Sequence, residues 1–289
     1  MQSTAAWPGS LARAYDRFAA DAAVVERHGF DSVWCGEHRF WYDGWCPAPL
    51  HAQAFAAART DHVRFGTAML LLPQHDAHAV ARNAITLDRL SGGRLELGLG
   101  LGYRDEEFAA VGLRRSDRAR LMEEKLEILE SAWSGPKWIG GMAPAALERA
   151  ARRGHSVMLP QTLSARRLRA IAARHRELAP AGSRIGILRD VHIEPDPARA
   201  FEFRSRLRAH YREEIVSWWG DAPERQLGYV DAAAAVGGME AVAETLRALR
   251  EAGATDLMAR LSFDFVEAPV VHDQIARLRD EVLPLLEET

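Results

Sequence analysis

Cysteine and lysine are both scarce in this chain of 289 residues, and no long apolar run occurs. The two cysteines, Cys35 and Cys46, form neither a CxxC pair nor a cluster with metal-ligand spacing, so the sequence predicts no disulfide scaffold and no metal site. Only Lys125 and Lys137 among the 37 basic residues are lysines, which leaves almost no candidate for Schiff-base chemistry. The longest strongly apolar run, at 68–72, is far shorter than the ~20 residues that cross a bilayer.

Charge of one sign is also lacking, since the formal net charge is −3 and no block of Lys and Arg occurs. Binding to nucleic acid or to an anionic membrane needs a basic face, so neither partner is expected. No basic segment precedes an apolar stretch near the first residue, which predicts an unexported, cytoplasmic protein. With 48% hydrophobic residues and no Pro/Gly/Ser linker, the chain is interpreted as one globular domain over 1–289.

Short apolar runs rich in β-formers alternate with amphipathic helical stretches along the whole chain, which is typical of βα units and a parallel sheet. The predicted strands are Ser32–Gly36, Val63–Leu72, Leu95–Gly100, Lys137–Gly140, Ser156–Leu159, Ile185–Ile193 and Asp256–Leu261. A doubly wound nucleotide-binding sheet would have GxGxxG at its first strand-to-helix turn, whereas the glycine-rich run here lies in mid-chain with different spacing. An α/β fold of the (β/α)₈ TIM-barrel type is therefore favoured.

Four stretches, in order, resemble the bacterial luciferase-like family of flavin-dependent oxidoreductases. They are HGFDSVWCGEHRFWYDG at 28–44, RTDHVRFGTAMLLLPQH at 59–75, ITLDRLSGGRLELGLGLGYRDEEFAAVG at 85–112 and PKWIGGMAPAALERAARRG at 136–154. The resemblance implies a (β/α)₈ barrel that binds reduced FMN or the deazaflavin F-420 at its carboxyl-terminal mouth. It also implies a homodimer and a separate flavin reductase as partner.

His38 follows the first predicted strand, where side chains of a barrel converge on the active site. An imidazole there can move a proton to or from a ligand, and the resemblance implies that role. The alternative is a histidine satisfied inside a polar cluster. Glu37 is grouped with His38 as a catalytic candidate, more as an orienting or core hydrogen-bonding group than as an acid. Many members of the family carry a second histidine where this chain has Arg39.

The segment Thr67, Ala68 and Met69 is predicted to bind the cofactor, because its small residues let the backbone approach a flat ring. The resemblance implies a non-proline cis peptide bond between Ala68 and Met69. An ordinary inner strand with small residues is the alternative.

Gly98, Gly100 and Gly102 fall on one side of an extended segment and are predicted to clear a shelf for the ring or its ribityl chain. Tyr103 would then flank the ring. The alternative is a bend at the rim of the barrel.

The segment Gly140, Gly141, Met142 and Ala143 runs from a predicted strand into a helix over 145–153. Backbone amides and the positive end of the helix dipole make an anion seat there for a flavin phosphate. The pair Gly237–Gly238 precedes a later helix and offers a competing seat.

Several other features are interpreted from the sequence. The aromatic run at 41–45 is either a roof over the pocket or a rim cluster, and Asp76 is a helix N-cap. Arg189 and Arg260 are phosphate or substrate partners or else buried ion pairs. Only nine residues precede Ser10, so the barrel's first strand is expected to be short or missing, with truncation as one explanation. Only three residues separate Trp133 from Lys137, which predicts a short lid.

From these motifs and the resemblance, the function predicted is a monooxygenase that uses reduced FMN and oxygen on a small organic substrate. A deazaflavin-dependent hydride-transfer enzyme and a non-catalytic flavin-binding protein are the alternatives.

Overall fold

The structure is a computed structural model that describes residues 11–39, 46–219, 228, 232–263 and 265–287. Its strands are β1 Ser32–Cys35, β2 Arg64–Thr67, β3 Leu95–Leu99, β4 Lys137–Gly140, β5 Ser156–Leu159, β6 Ile185–Ile193, β7 Ala235–Gly237 and β8 Asp256–Arg260. Its α-helices are α1 Leu11–Arg27, α2 Pro49–Ala57, α3 Ala77–Leu90, α4 Asp105–Ala110, α5 Arg118–Ala132, α6 Pro144–Arg153, α7 Ala165–Leu178, α8 Pro197–Trp219, α9 Met239–Glu251, α10 Ala268–Arg277 and α11 Leu283–Glu287.

The chain divides into two compact units, residues 1–140 with 262–264 and residues 141–261 with 265–289. In the first unit β1 to β4 pair in chain order, and every pair is parallel. Cys35 stands opposite Thr67 at the carboxyl ends of β1 and β2. Parallel pairing brings the carboxyl ends of the strands to one edge, where α/β proteins place their ligand sites.

The core of the first unit forms where α1 packs on the β1–β2 sheet. Phe18, Ala19 and Ala22 on α1 share a buried cluster with Cys35 and Phe65. These three α1 positions are spaced as one apolar helical face, so burying that face against the strands anchors the sheet that carries the site. Both cysteines are buried and carry free thiols.

The second unit is built around the nine-residue β6. This strand pairs in parallel with β5 through 185–187, with β8 through 186–190 and with β7 through 191–193. β7 has only three residues and covers only the last part of β6, and β8 pairs with the part that precedes it. The α/β fold with parallel pairing is confirmed, and closure into a barrel stays a prediction.

All seven predicted strands are present, with corrections at two places. The strand predicted over Val63–Leu72 ends at Thr67, because the chain leaves the ladder there and forms a 3₁₀ turn over Leu72–Gln74. β7 was not predicted, because three residues are too few to give a period. The stretch before α1, where a short or missing first strand is expected, lies outside the described residues, and the single-domain interpretation stays a prediction.

Candidate active site

The candidate site lies in the first unit, in the segments that follow β1, β2 and β3. His38 comes three residues after β1 ends, and its backbone N–H donates to the carbonyl of Cys46 at 3.3 Å. Its side chain is 8% exposed. His38 Nδ1 lies 3.0 Å from Glu107 Oε1, and Nε2 lies 3.1 Å from the Tyr103 hydroxyl. The chain therefore brings together a carboxylate, an imidazole and a phenol that are up to 69 residues apart.

Glu107 on α4 is fully buried and holds both the ring and the backbone of the segment after β1. Its Oε1 accepts the Arg39 N–H at 2.8 Å, and the Arg104 guanidinium lies 3.7 Å away. Burial alone would raise the pKa of the Glu107 carboxyl. The hydrogen bond and charge of His38, the Arg39 N–H and the charge of Arg104 outweigh it, so this pKa lies below its usual value.

Glu107 was missed from the sequence. It is the last residue of an AspGluGlu run whose first two members are exposed, and nothing in the run marks the third as buried.

Glu37 is a buried hydrogen-bonding group that ties β1 to the segment after β2. One of its oxygens accepts the Leu71 N–H at 2.9 Å, and His75 Nε2 lies 2.7 Å from the other. The Arg39 guanidinium lies 3.5 Å from the same carboxylate and 3.3 Å from His75 Nδ1. This geometry matches the orienting role and offers Glu37 no direct part in proton transfer.

The segment that carries His75 is held from outside by a lysine. Lys125 on α5 donates to the carbonyls of Pro73 and His75 at 2.7 and 2.6 Å. Asp76 caps α3 by accepting the Ala79 N–H, as predicted. The end of the segment is thus fixed at several backbone groups.

The peptide bond between Ala68 and Met69 is cis, as the resemblance implies. Thr67 is fully buried, and its hydroxyl donates to the Gly98 carbonyl at 2.7 Å and accepts the Gly98 N–H at 3.0 Å. The Thr67 hydroxyl is therefore already hydrogen-bonded to β3. The backbone of this segment stays the candidate for cofactor contact.

Packing within the unit requires glycine at Gly98 in β3, at Gly100 just after it and at Gly140 at the end of β4. A Cβ on Gly98 would stand 1.9 Å from the Thr67 carbonyl oxygen, and one on Gly100 would stand 3.0 Å from the Met69 Cβ. Gly140 faces Met69 in the same way, at 2.9 Å from Cε. Met69 fills the space that the predicted shelf would need on that side, so a ring contact at these glycines stays a prediction.

A buried amide without a partner also lies at this site. The Gln74 side chain is 4% exposed, and neither Nε2 nor Oε1 has a hydrogen-bond partner within the part of the chain that the structure describes. Nε2 is 2.9 Å from the point where a Cβ on Gly102 would stand, and Gly102 has a φ of +75°. The sequence did not single out Gln74, because an amide in an apolar run has no pattern of its own.

Apart from Gly140, the residues of the predicted anion seats lie in the second unit. Gly141 has a φ of +137°, and its N–H donates to the Met158 carbonyl at 3.1 Å, so that amide is already used. α6 spans Pro144–Arg153 with Ala143 as N-cap, so it begins one residue before the predicted helix over 145–153. At the competing seat, Gly237 and Gly238 line an open cavity of about 330 Å³ beside the start of α9. Phosphate binding at either seat stays a prediction.

Arg189 and Arg260 have structural partners. The buried Arg189 donates to the carbonyls of Gln161, Leu163 and Ala233 at 3.0, 2.7 and 2.7 Å, and burial lowers the pKa of its guanidinium to about 10. Arg260 forms an ion pair with the buried Asp190 at 2.7 Å. The buried ion pair, one of the predicted alternatives, is present at Arg260, whereas Arg189 donates to backbone carbonyls.

The predicted aromatic roof at 41–45 lies outside the described residues. Within the residues that are described, no three His, Cys, Asp or Glu side chains are placed to share a metal ion. Nor does any helix described there have the length and apolarity needed to span a bilayer.

Comparison with known proteins gives the family. The family model of the luciferase-like monooxygenases matches residues 2–256. The chain is 33% identical over 114 residues to 4-hydroxyprotoasukamycin monooxygenase of Streptomyces nodosus subsp. asukaensis, which covers 39% of this chain and 31% of that protein. It is 32% identical over 111 residues to limonene 1,2-monooxygenase of Rhodococcus erythropolis, covering 38% and 29%. The chain thus spans less than a third of the length of these curated relatives.

Solved structures share the fold. Monooxygenase RslO1 from Streptomyces bottropensis superposes with a TM-score of 0.88 at 20% identity over 98% of this chain and 97% of that one. The oxygenating constituent of 3,6-diketocamphane monooxygenase of Pseudomonas putida, in complex with FMN, superposes with a TM-score of 0.80 at 20% identity, covering 96% of this chain and 95% of that one. An F420-dependent secondary alcohol dehydrogenase superposes with a TM-score of 0.75 at 17% identity, covering 93% of this chain and 94% of that one. With the family model matched over most of its length, the chain belongs to the luciferase-like monooxygenase family.

Proposed function

We propose that this protein is a flavin-dependent monooxygenase that uses reduced FMN and molecular oxygen to oxygenate a small organic substrate. The observation that carries the proposal is His38, held between Glu107 and Tyr103 where β1 and β3 end. A positioned imidazole supplies the proton transfer that oxygenation of a carbon substrate requires. Membership of a monooxygenase family and the FMN complex of one structural neighbour support the choice of chemistry and cofactor.

The residues present fit a flavin. The Gln74 amide, which has no hydrogen-bond partner among the described residues, offers a donor and an acceptor, which match the alternating acceptors and N–H of a flavin's pyrimidine edge. The backbone of Ala68 and Met69 and the half-buried Tyr103 ring would hold the isoalloxazine. When bound, reduced flavin supplies the electrons that activate oxygen, and the protein's own part is to bind, orient and move protons.

Three further parts of the proposal follow from the family resemblance. A separate reductase supplies the reduced flavin, the protein works as a homodimer, and it acts in the cytoplasm. The backbone at the start of α6 is proposed as the seat of the flavin phosphate. A (β/α)₈ barrel with its first strand short or missing completes the proposal, and the unbroken parallel pairing within β1 to β4 supports it.

Hydride transfer with the deazaflavin F-420 is the second candidate, favoured by the fold shared with the F420-dependent alcohol dehydrogenase. The two share the pyrimidine edge, so Gln74 does not separate them. Titration of the purified protein with FMN and with F-420, each followed by absorbance, tests the cofactor. FMN binding followed by oxygen uptake and an oxygenated product supports the monooxygenase. Binding of F-420 alone contradicts it, and FMN binding without turnover across candidate substrates indicates a flavin carrier.

Replacing Gln74 with leucine separates ligand binding from folding. Removing a buried amide that lacks a partner is expected to raise the free energy of unfolding of the ligand-free protein by about 1 kcal/mol. The same change should weaken FMN binding about tenfold, because the flavin loses its hydrogen bonds. Urea unfolding and fluorescence titration measure the two effects. A variant that is destabilised and binds FMN as the wild type does would remove Gln74 from the site.

A further inference from the structure

Both ring nitrogens of His38 are engaged within the protein. Nδ1 faces Glu107 at 3.0 Å and Nε2 faces the Tyr103 hydroxyl at 3.1 Å, with the two rings edge to face at 5.5 Å between centroids. A ligand that exchanged a proton directly with His38 would have to displace one of these partners. Tyr103 is half-buried, whereas His38 is almost fully buried. Of the two groups, the phenol is the one that solvent and ligand reach first.

The charge on Glu107 fixes which nitrogen carries the proton. An ionised carboxylate only accepts hydrogen bonds, so Nδ1 must be the N–H donor. The pKa of Glu107 lies below its usual value, for the reasons given above, which keeps the group ionised. With the ring proton on Nδ1, Nε2 can accept the hydrogen bond from the Tyr103 hydroxyl. Arg39, through its N–H, and Arg104 face the same carboxylate, so the second acceptor site of Oε1 is also engaged.

We propose that the Tyr103 hydroxyl is the group that exchanges a proton with the bound substrate, that His38 receives that proton through it, and that Glu107 is the positioning residue. In the base direction a substrate X–H bond breaks and an O–H bond forms on Tyr103, while the original Tyr103 O–H breaks and an N–H bond forms at Nε2. The substrate gains the negative charge, and the imidazolium is paired with Glu107. The acid direction is the reverse. This relay rests on the proposed function for its substrate but not for its geometry.

Kinetics test the relay through non-additivity. Tyr103→Phe is expected to lower kcat about 100-fold, at the lower end of the range of positioned acid–base groups, with KM changed less than about threefold. In the His38→Ala background the same change should have no further effect, because groups that act as one unit are not additive. Multiplicative losses in the double variant would overturn the relay. Glu106→Gln, an exposed neighbour of Glu107 on α4, is the matched control and should leave kcat unchanged.

Nitrogen-15 NMR of the imidazole rings tests the geometry without cofactor or substrate. The His38 signal, assigned by its loss in His38→Ala among the 11 histidines, should show the Nδ1–H tautomer. Glu107→Gln is expected to switch it to Nε2–H, because the amide can donate to Nδ1, and Glu107→Asp should restore part of the Nδ1–H form. Tyr103→Phe should shift Nε2 alone. An Nε2–H tautomer in the wild type would overturn the relay even if monooxygenase activity is found. An Nδ1–H tautomer would support the geometry of the relay even if no monooxygenase activity is found.

Discussion

His38→Ala is expected to lower turnover by about 10²–10⁴-fold, the usual contribution of a positioned acid–base group. FMN affinity should change by less than about threefold, because the ring of His38 is buried against Glu107 and Tyr103 and is not itself one of the proposed flavin contacts. Single-turnover measurements with reduced flavin and substrate, beside an FMN titration, give the two quantities separately.

His51→Ala is the matched control for this change. His51 is an exposed histidine on α2, and its removal should leave both quantities at the wild-type level. A fall in FMN affinity as large as the fall in turnover would give His38 a structural role. Unchanged turnover would take it out of the mechanism.

Gly98→Ala is expected to cost about 3–5 kcal/mol of the free energy of unfolding. The added Cβ would stand 1.9 Å from the Thr67 carbonyl oxygen, a backbone atom that cannot rotate away. Relief requires β2 and β3 to separate, which strains the overpacked core and breaks the two hydrogen bonds between Thr67 and Gly98. Urea unfolding measures the loss. The affinity for FMN, measured by titration, should fall as well, because the segment 67–69 moves with β2.

Gly112→Ala provides the comparison. Gly112 has a φ of +71° and open space around its Cβ position, so the substitution tests backbone strain alone and should cost about 1 kcal/mol. Equal costs at Gly98 and Gly112 would mean that the close approach of β2 to β3 does not determine the identity of residue 98.

The sequence carries the local part of this fold well. Strand periods and the stops between them are set by neighbouring residues, so β1, β3, β4, β5 and β6 begin where predicted. The predicted β2 was too long, because Leu70 to Leu72 are as apolar as residues of a strand. In the structure they follow the cis bond and lie outside β2. β7 was missed because its three residues gain their order from pairing with β6, which is a tertiary effect.

The site divides in the same way. His38 and Tyr103 belong to short motifs, and the prediction placed both where a ligand would lie. The roles of Glu107 and Gln74 depend on residues that only folding brings near them. Glu107, for example, contacts a histidine 69 positions earlier in the chain. A sequence shows that a carboxylate or an amide is present, whereas its burial and its missing partner emerge from packing alone.

The side-chain amines of the two lysines should react slowly with reagents that target lysine. Lys125 and Lys137 each donate to two backbone carbonyls, and burial lowers the pKa of both ammonium groups. Acylating reagents and crosslinkers that target lysine must first break those hydrogen bonds, so the described fold should resist labelling until it opens locally. Because Lys125 holds the carbonyls on either side of Gln74, acylation at that one amine would release the segment that presents the amide, and the extent of labelling would report how often the segment opens.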